Sequence, residues 1–381
     1  MAHPSHDMKH NITRREFLGL MSVTAASVAL AGCQPASTTL NTTGNAAVGA
    51  TVPPIQSVMG PPHVAIVQAT SYDRAEIRQK VRSLIDALGG LKGIIHTGDK
   101  VAIKPNLTGG VSTRPLPDVS AIESYITHPE VVRALGEAVL DAGAKQLYIV
   151  ESVYEDASWS EWGYQDVATA LGAQLVDLNR TLPYNEYVKV PVGPNPYIYD
   201  QFTYNRILYD VNVFISVPKM KCHNTAGITL SMKNLFGTAP ARFYRLSDRD
   251  NTRTAFHGQG NEAPVRVPHV IVDLNRARPV NFSLIDGIMT SEGGEGPWIR
   301  TMQAKTANVL IAGLNPVATD TVAAAVMGFD ATASSSQAPF DGAANHIALA
   351  AAKGLGTNKL ADITVSGLAI KDVMTQFKVA R

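Results

Sequence analysis

Cysteine is nearly absent: Cys33 and Cys222 are the two in 381 residues. That count excludes an iron–sulfur cluster, which needs four thiolates, and it excludes a disulfide framework. An excess of one charge is missing as well. The formal net charge is +1, which argues against nucleic acid as a partner and against a polybasic membrane surface. Several catalytic signatures are absent: no Walker A motif, no GxGxxG after a strand, no HExxH and no GxSxG elbow. The "SVPK" run matches the serine–lysine spacing of penicillin-recognising enzymes at Ser216 and Lys219, but its partner motifs are missing and the match reads as chance.

What is present begins at the N-terminus. "TRREFLGLMSVTAASVALAGC" sets Arg14 and Arg15 before Phe17 and Leu18, then runs without charge to Gly32. That run is too short to span a bilayer comfortably, which takes about 20 apolar residues. It has the form of a signal-peptide core. The paired arginines resemble a twin-arginine export signal, and "LAGC" resembles a lipoprotein processing site with Cys33 as the acylated residue. Residues 1–33 are therefore expected to be a twin-arginine lipoprotein signal peptide. The translocase and the lipid bilayer are the expected partners, and the protein is expected to be exported and anchored facing the periplasm or cell exterior. Folding before export would permit a cofactor loaded in the cytoplasm without requiring one; its identity stays open. With Cys33 lipidated, Cys222 is the remaining thiol and no intrachain disulfide can form.

Residues 34–60 are rich in Ser, Thr, Gly, Ala and Pro and almost uncharged. They read as a flexible tether holding the domain ~25–30 Å from the lipid, or alternatively as an irregular segment packed on it.

From His63 to the C-terminus, short apolar runs alternate with helical patterns. "HVAIVQA", "KVAIKPN", "QLYIVES", "QLVDL", "VNVFISV", "VNFSLID", "NVLIAG" and "DITVSG" predict strands. "DRAEIRQKVRSLIDALGG", "HPEVVRALGEAVLDAGA", "YQDVATALGA", "PVATDTVAAAVMGF" and "NHIALAAAKGL" predict helices. Near-continuous apolar strands between helices predict a single α/β domain over residues 61–381, with a mostly parallel open sheet covered on both faces. The tyrosine-rich stretch 176–210 predicts a β-rich or irregular insertion, either a hairpin within the sheet or one lying across its edge. The polar segment 238–268 reads as a lid or a disordered insertion.

Ligands in such sheets bind beyond the carboxyl ends of the strands. Lys104, Glu151, Lys219 and Asp286 each end a predicted strand, so a parallel sheet brings them to one edge. In "VPKMKCHNTAGITLSMKNLFG" the residues Lys219, Lys221 and His223 are spaced by two, which on an extended chain puts them on one side. At ~6.5 Å separation their repulsion is about 2.5 kcal/mol per pair near an effective dielectric of 20 and about 0.6 in water. They must be solvated, or balanced by acids or a bound anion. "GITLSMKNLFG" predicts a short helix whose start would add free N–H groups to an anion site. Asp286, Glu292 and Glu295 are expected in a glycine-rich loop, Asn315 as an N-cap and Asp320 one turn in. His223, Asp286 and Asp320 could hold a divalent cation, but no ligand spacing supports it and no metal is expected.

"VAIKPNL", "THPEVVRALGEAVLDAGAKQLYIVES", "VPKMKCHNTAGITLSMKNLFG", "LIDGIMTSEGGEGP" and "IAGLNPVATDTVAAAVMGFD" together resemble the domain-of-unknown-function 362 family, from about residue 63 to 367. The resemblance brings no established activity. It marks Lys104, Asn106, Lys219, Lys221, His223, Lys233, Asn234, Asp286 and Asp320 as recurring positions. Ferredoxin-type cysteine runs found in some members cannot exist here, and Asn315 stands where aspartate is usual.

The expected function is that of an exported lipoprotein recognising a small anion. Lys104, Asn106, Lys219, Lys221, Asn234, Asp286, Glu292 and Asp320 would bind or orient it, and His223 and Lys233 would carry any chemistry. The alternatives are an enzyme acting on a small phosphate- or carboxylate-bearing molecule, and a non-catalytic lipoprotein that binds a ligand or escorts a partner.

Overall fold

The computed structural model describes residues 47–56 and 60–380. The expected signal peptide, Cys33 and the first part of the expected tether lie outside them.

The main sheet runs, edge to edge, in the order β13 (Thr364–Gly367), β2 (His63–Gln68), β12 (Gln303–Gly313), β11 (Phe282–Glu292), β8 (Val213–Val217), β3 (Lys100–Pro105), β4 (Gln146–Glu151) and β5 (Gln174–Asp177). β12 runs against both its neighbours, and the other pairings along this path are parallel. After Pro218 the chain of β8 continues as β9 (Lys219–His223), which pairs parallel with β11 and antiparallel with β10 (Gly227–Thr229).

The period of two fixes which face each side chain covers. Val101 and Ile103 pack on one face with Leu147, Ile149, Val213 and Ile215, under the helices Arg74–Ala87, Pro129–Asp141 and Tyr164–Leu171. Ala102, Tyr148, Val150 and Phe214 pack on the other, with the helices Ala263–Ala277, Pro316–Val326 and His346–Ala352. This is the mostly parallel sheet, helix-covered on both faces, that the sequence pattern implies.

Four local expectations change. Ala47–Thr51, inside the stretch expected as tether, forms β1 and pairs parallel with β6 (Glu186–Pro191). The expected β-rich insertion is present, as β6 pairs antiparallel with β7 (Gln201–Asn205), and what changes is its place: the hairpin belongs to a separate three-stranded sheet. β11 runs unbroken through Asp286 to Glu292, because the residues expected to form a loop pair with β12 as far as Gln303. The segment 238–268, expected as a lid or a disordered insertion, is ordered: it holds a 3-10 turn (Ala241–Phe243), a short helix (Thr254–His257) and the start of the helix Ala263–Ala277. From it, Asn251, Thr252, Arg253 and His257 line the cavity described below. Pro268 lies inside that last helix and cannot donate to the carbonyl four residues back. The Pro264 carbonyl so freed accepts from the Ala344 amide at 2.9 Å.

The last described residues form an extended strap. Phe377 is buried in the core, and the Lys378 amide donates to Glu292 Oε2 at 3.1 Å. The Gly293 amide donates back to the Lys378 carbonyl at 2.8 Å.

Candidate functional site

The parallel order β11-β8-β3-β4 brings the carboxyl ends of these strands to one edge, and a cavity of about 490 Å³ lies beyond them. Its wall includes Asn106, Glu151, Lys221, His223, Lys233, Asn234, Arg253, His257 and Glu295.

Lys104 and Glu151 make the floor. Lys104 Nζ donates to Glu151 Oε2 at 2.9 Å, to Asn234 Oδ1 at 3.1 Å and to the Pro105 carbonyl at 3.0 Å. Asn234 Nδ2 donates back to the Lys104 carbonyl and to Ser216 Oγ. Burial lowers the Lys104 pKa and Glu151 opposes that shift. Gly237 closes over the pair: a Cβ there would sit 2.0 Å from Glu151 Oε1 and 2.7 Å from Lys104 Nζ. Gly237→Ala should therefore lower stability by about 1–3 kcal/mol through overpacking. Urea denaturation would read the cost, and an unchanged midpoint would show that the floor is not rigid.

His223 is held by its Nδ1, which accepts the Thr225 and Ala226 amides at 3.0 and 3.2 Å. A ring nitrogen that accepts carries no proton, so the neutral ring is protonated at Nε2, and no residue of the chain accepts from that atom among the described residues. Glu295 Oε2 lies 3.9 Å from Nδ1, beyond hydrogen-bond reach. Burial, with Lys233 and Lys221 nearby, pushes the imidazole down to about 3 despite Glu295, so the ring is neutral at pH 7. Burial raises the Glu295 carboxyl, but His223, the Asn224 amide and the Trp298 indole outweigh it and hold the group at about 2. With His223 uncharged, the two N–H donors carry that anion.

Lys221 and Lys233 are pushed down to about 7 by burial, which outweighs the pull of Glu295. Lys221 Nζ donates to the carbonyls of Tyr125 and Glu295 at 2.9 and 3.0 Å. Lys233 Nζ lies 3.7 Å from the centroid of the Phe236 ring and has no acceptor among the described residues. Arg253 is comparable: Nε donates to the Ala239 carbonyl, whereas the buried Nη2 has no acceptor. Asn106 Oδ1 and Thr229 Oγ1 are likewise buried without a partner. Three cations thus meet two acids along the wall, and one of those acids, Glu151, is already matched by Lys104.

The remaining expected residues sit behind this wall. Lys219 and Asp286 are fully buried and pair at 2.8 Å. Tyr72 Oη and the His128 amide also donate to Asp286, at 2.8 and 2.9 Å. Asp320 accepts the Ser231 and Met232 amides at 2.8 and 2.9 Å, and burial raises its carboxyl to about 7. The expected helix after Gly227 is instead β10 followed by a 3-10 turn, Lys233–Thr238. The two amides just before that turn, of Ser231 and Met232, are taken by Asp320 and are not free for an anion. Glu292 pairs with Lys305 at 3.4 Å and Lys378 at 3.3 Å. Asn315 caps the helix Pro316–Val326 by accepting the Ala318 amide at 3.0 Å. His223, Asp286 and Asp320 have separate partners, and among the described residues no three His, Cys, Asp or Glu side chains converge on a metal position. Cys222 is buried and unpaired.

Among the lining residues that sequence reasoning left out of the site are Arg253, His257, Tyr154 and Trp298. Arg253 and His257 fall in a polar stretch without periodicity, and the two aromatics follow strand ends at the rim. Cations and glycine turns beyond strand ends were the legible signal.

Fold and site together define an α/β protein with a cationic cavity at the carboxyl edge of a mostly parallel sheet. The chain belongs to the family described as Domain of unknown function (DUF362), whose model matches residues 101–325. It is 27% identical over 244 residues to the "Thylakoid-associated protein sll1697" of Synechocystis sp., covering 61% of this chain and 65% of that protein. Among solved structures, one of a Thermotoga maritima protein superposes with a TM-score of 0.32 at 13% identity, over 60% of this chain and 54% of the other. The lactate racemase apoprotein from Thermoanaerobacterium thermosaccharolyticum gives 0.34 at 12% identity, over 64% and 53%. Neither superposition bears on function. Among the described residues, no helix is long and apolar enough to cross a membrane.

Proposed function

We propose that the protein is an exported, Cys33-lipidated binder of a small phosphate- or carboxylate-bearing molecule, and that it acts on that molecule in the cavity beyond β3 and β4. One observation carries the reading: Lys233 and Arg253 line the same cavity, and among the described residues Arg253 Nη2 is buried without an acceptor while Lys233 Nζ meets only the face of the Phe236 ring. A buried donor without a partner costs about 1–3 kcal/mol, more when charged. A bound anion removes that cost.

Lys221, Asn106 and Thr229 complete the cradle. Lys104, Asn234, Lys219, Asp286 and Asp320 hold its shape, and Glu292 fastens the loop that carries Glu295. His223 presents an Nε2–H as a hydrogen-bond donor to the ligand, since its other nitrogen is occupied by backbone amides. Lys233, held at about 7, can take up or release a proton near neutral pH and is the group suited to general acid–base work. Export and anchoring rest on the N-terminal motifs, with Cys33→Ser expected to move the protein from the membrane to the soluble fraction.

Calorimetric titration with inorganic phosphate and with acetate tests the site. Saturable binding of one equivalent is expected for at least one of them. No heat with either up to millimolar concentration removes the anion reading. Binding that persists while every candidate conversion stays silent leaves a carrier rather than an enzyme.

A further inference from the structure

The cavity has a second character at its mouth. Among the described residues, the large hydrophobic side chains that stay exposed include two aromatics, Tyr154 at 38% and Trp298 at 47%, and both line this cavity. Exposed aromatics scattered singly need no explanation, but two at the rim of one concave site do.

Trp298 is not loosely placed. A Cβ at Gly109 would lie 2.7 Å from its Cζ3, and one at Gly296 would lie 2.2 Å from its Cη2. The indole therefore rests on bare backbone at two separate loops, and side chains at those positions would displace it. Its Nε1 donates to Glu295 Oε1 at 3.2 Å, and the Tyr125 ring meets it edge-on, with centroids 6.1 Å apart. A large ring so oriented, yet half in solvent, is a surface prepared for contact. Leu107 and Phe236 continue the apolar lining inward toward Lys233 and Arg253.

We infer that the ligand is an anion carrying a planar apolar body, with its charged head against Lys233 and Arg253 and its flat part stacked on Trp298 beside Tyr154. This rests on the anion-binding reading above and adds the half of the ligand that the cations do not touch. Stacking on a preoriented ring contributes beyond simple area burial, and base–aromatic stacks show how tolerant such a platform is of the exact ring. Trp298 and Tyr154 then determine specificity, and the cations determine that a ligand binds at all.

The test compares matched pairs by calorimetry: methyl phosphate with phenyl phosphate, and acetate with benzoate. The two pairs also separate a phosphate head from a carboxylate head. Within the preferred pair, the aromatic member is expected to bind about tenfold tighter. Trp298→Ala should remove most of that preference while weakening the small member much less. Trp298→Phe keeps a flat ring but loses the bond to Glu295, and should retain most of it. Equal affinities within both pairs in the wild type would overturn the inference. So would an equal loss for both members in Trp298→Ala, because that pattern marks a purely structural tryptophan. If no member of either pair binds, the anion reading fails first and this inference falls with it.

Discussion

Asp286→Ala should cost the fold about 3–5 kcal/mol, read as a lower urea midpoint with the slope unchanged. Asp286 and Lys219 both have no exposure, and their charged atoms are 2.8 Å apart. Removing the carboxylate leaves a buried ammonium facing the carbonyls of Ile122 and Met289 and the Tyr72 hydroxyl. It also strands the Tyr72 and His128 donors that Asp286 accepts. A loss under about 1 kcal/mol would match an exposed ion pair and would show that water reaches the couple in solution. Lys219 shares one face of β9 with Lys221, which lines the cavity, so a collapse at the buried pair should also disturb the site.

The second large effect concerns Lys233. Lys233→Met should weaken sulfate binding by at least about 30-fold, the loss expected when one charged partner of a desolvated contact is removed. Sulfate is the suitable probe for pH because it does not titrate near neutrality, unlike phosphate. In the free protein, Lys221 and Lys233 are pushed to about 7. A bound anion favours their charged forms and raises both values. Binding then takes up protons at pH values above about 7, and affinity falls as pH rises there, by up to about tenfold per unit for each proton taken up. Below about 6 both amines are already charged and the profile should flatten. Titrations in buffers of differing ionisation enthalpy would report the proton directly. A profile that stays flat from pH 6 to 9 would show that neither lysine meets the anion.

Much of the fold was legible because burial leaves a periodic trace. Val101, Ala102 and Ile103 alternate between the two cores, and runs like theirs disclose a strand covered on both faces. The spacing of Lys219, Lys221 and His223 was legible for the same reason, with Met220 and Cys222 turned into the opposite core. The partners were not legible. Lys219 meets Asp286 across 67 positions of sequence and Lys104 meets Glu151 across 47, and register between neighbouring strands decides such pairs. Two prolines hid the helix Ala263–Ala277, since Pro268 reads as a breaker until the Ala344 amide is seen to satisfy the carbonyl it frees. The helix expected from Gly227 failed for a complementary reason: Gly227, Ile228 and Thr229 pair back on His223, Cys222 and Lys221 as β10, so the chain is extended where that helix would start.

The strap at Phe377 and Lys378 has a practical consequence. Because it grips Glu292 and Gly293 immediately before Glu295 and Trp298, a fusion partner joined close behind Lys378 pulls on the rim of the binding site. Affinities measured with such a fusion would report the strain of the join along with the chemistry of the pocket, so purification handles belong elsewhere on the chain.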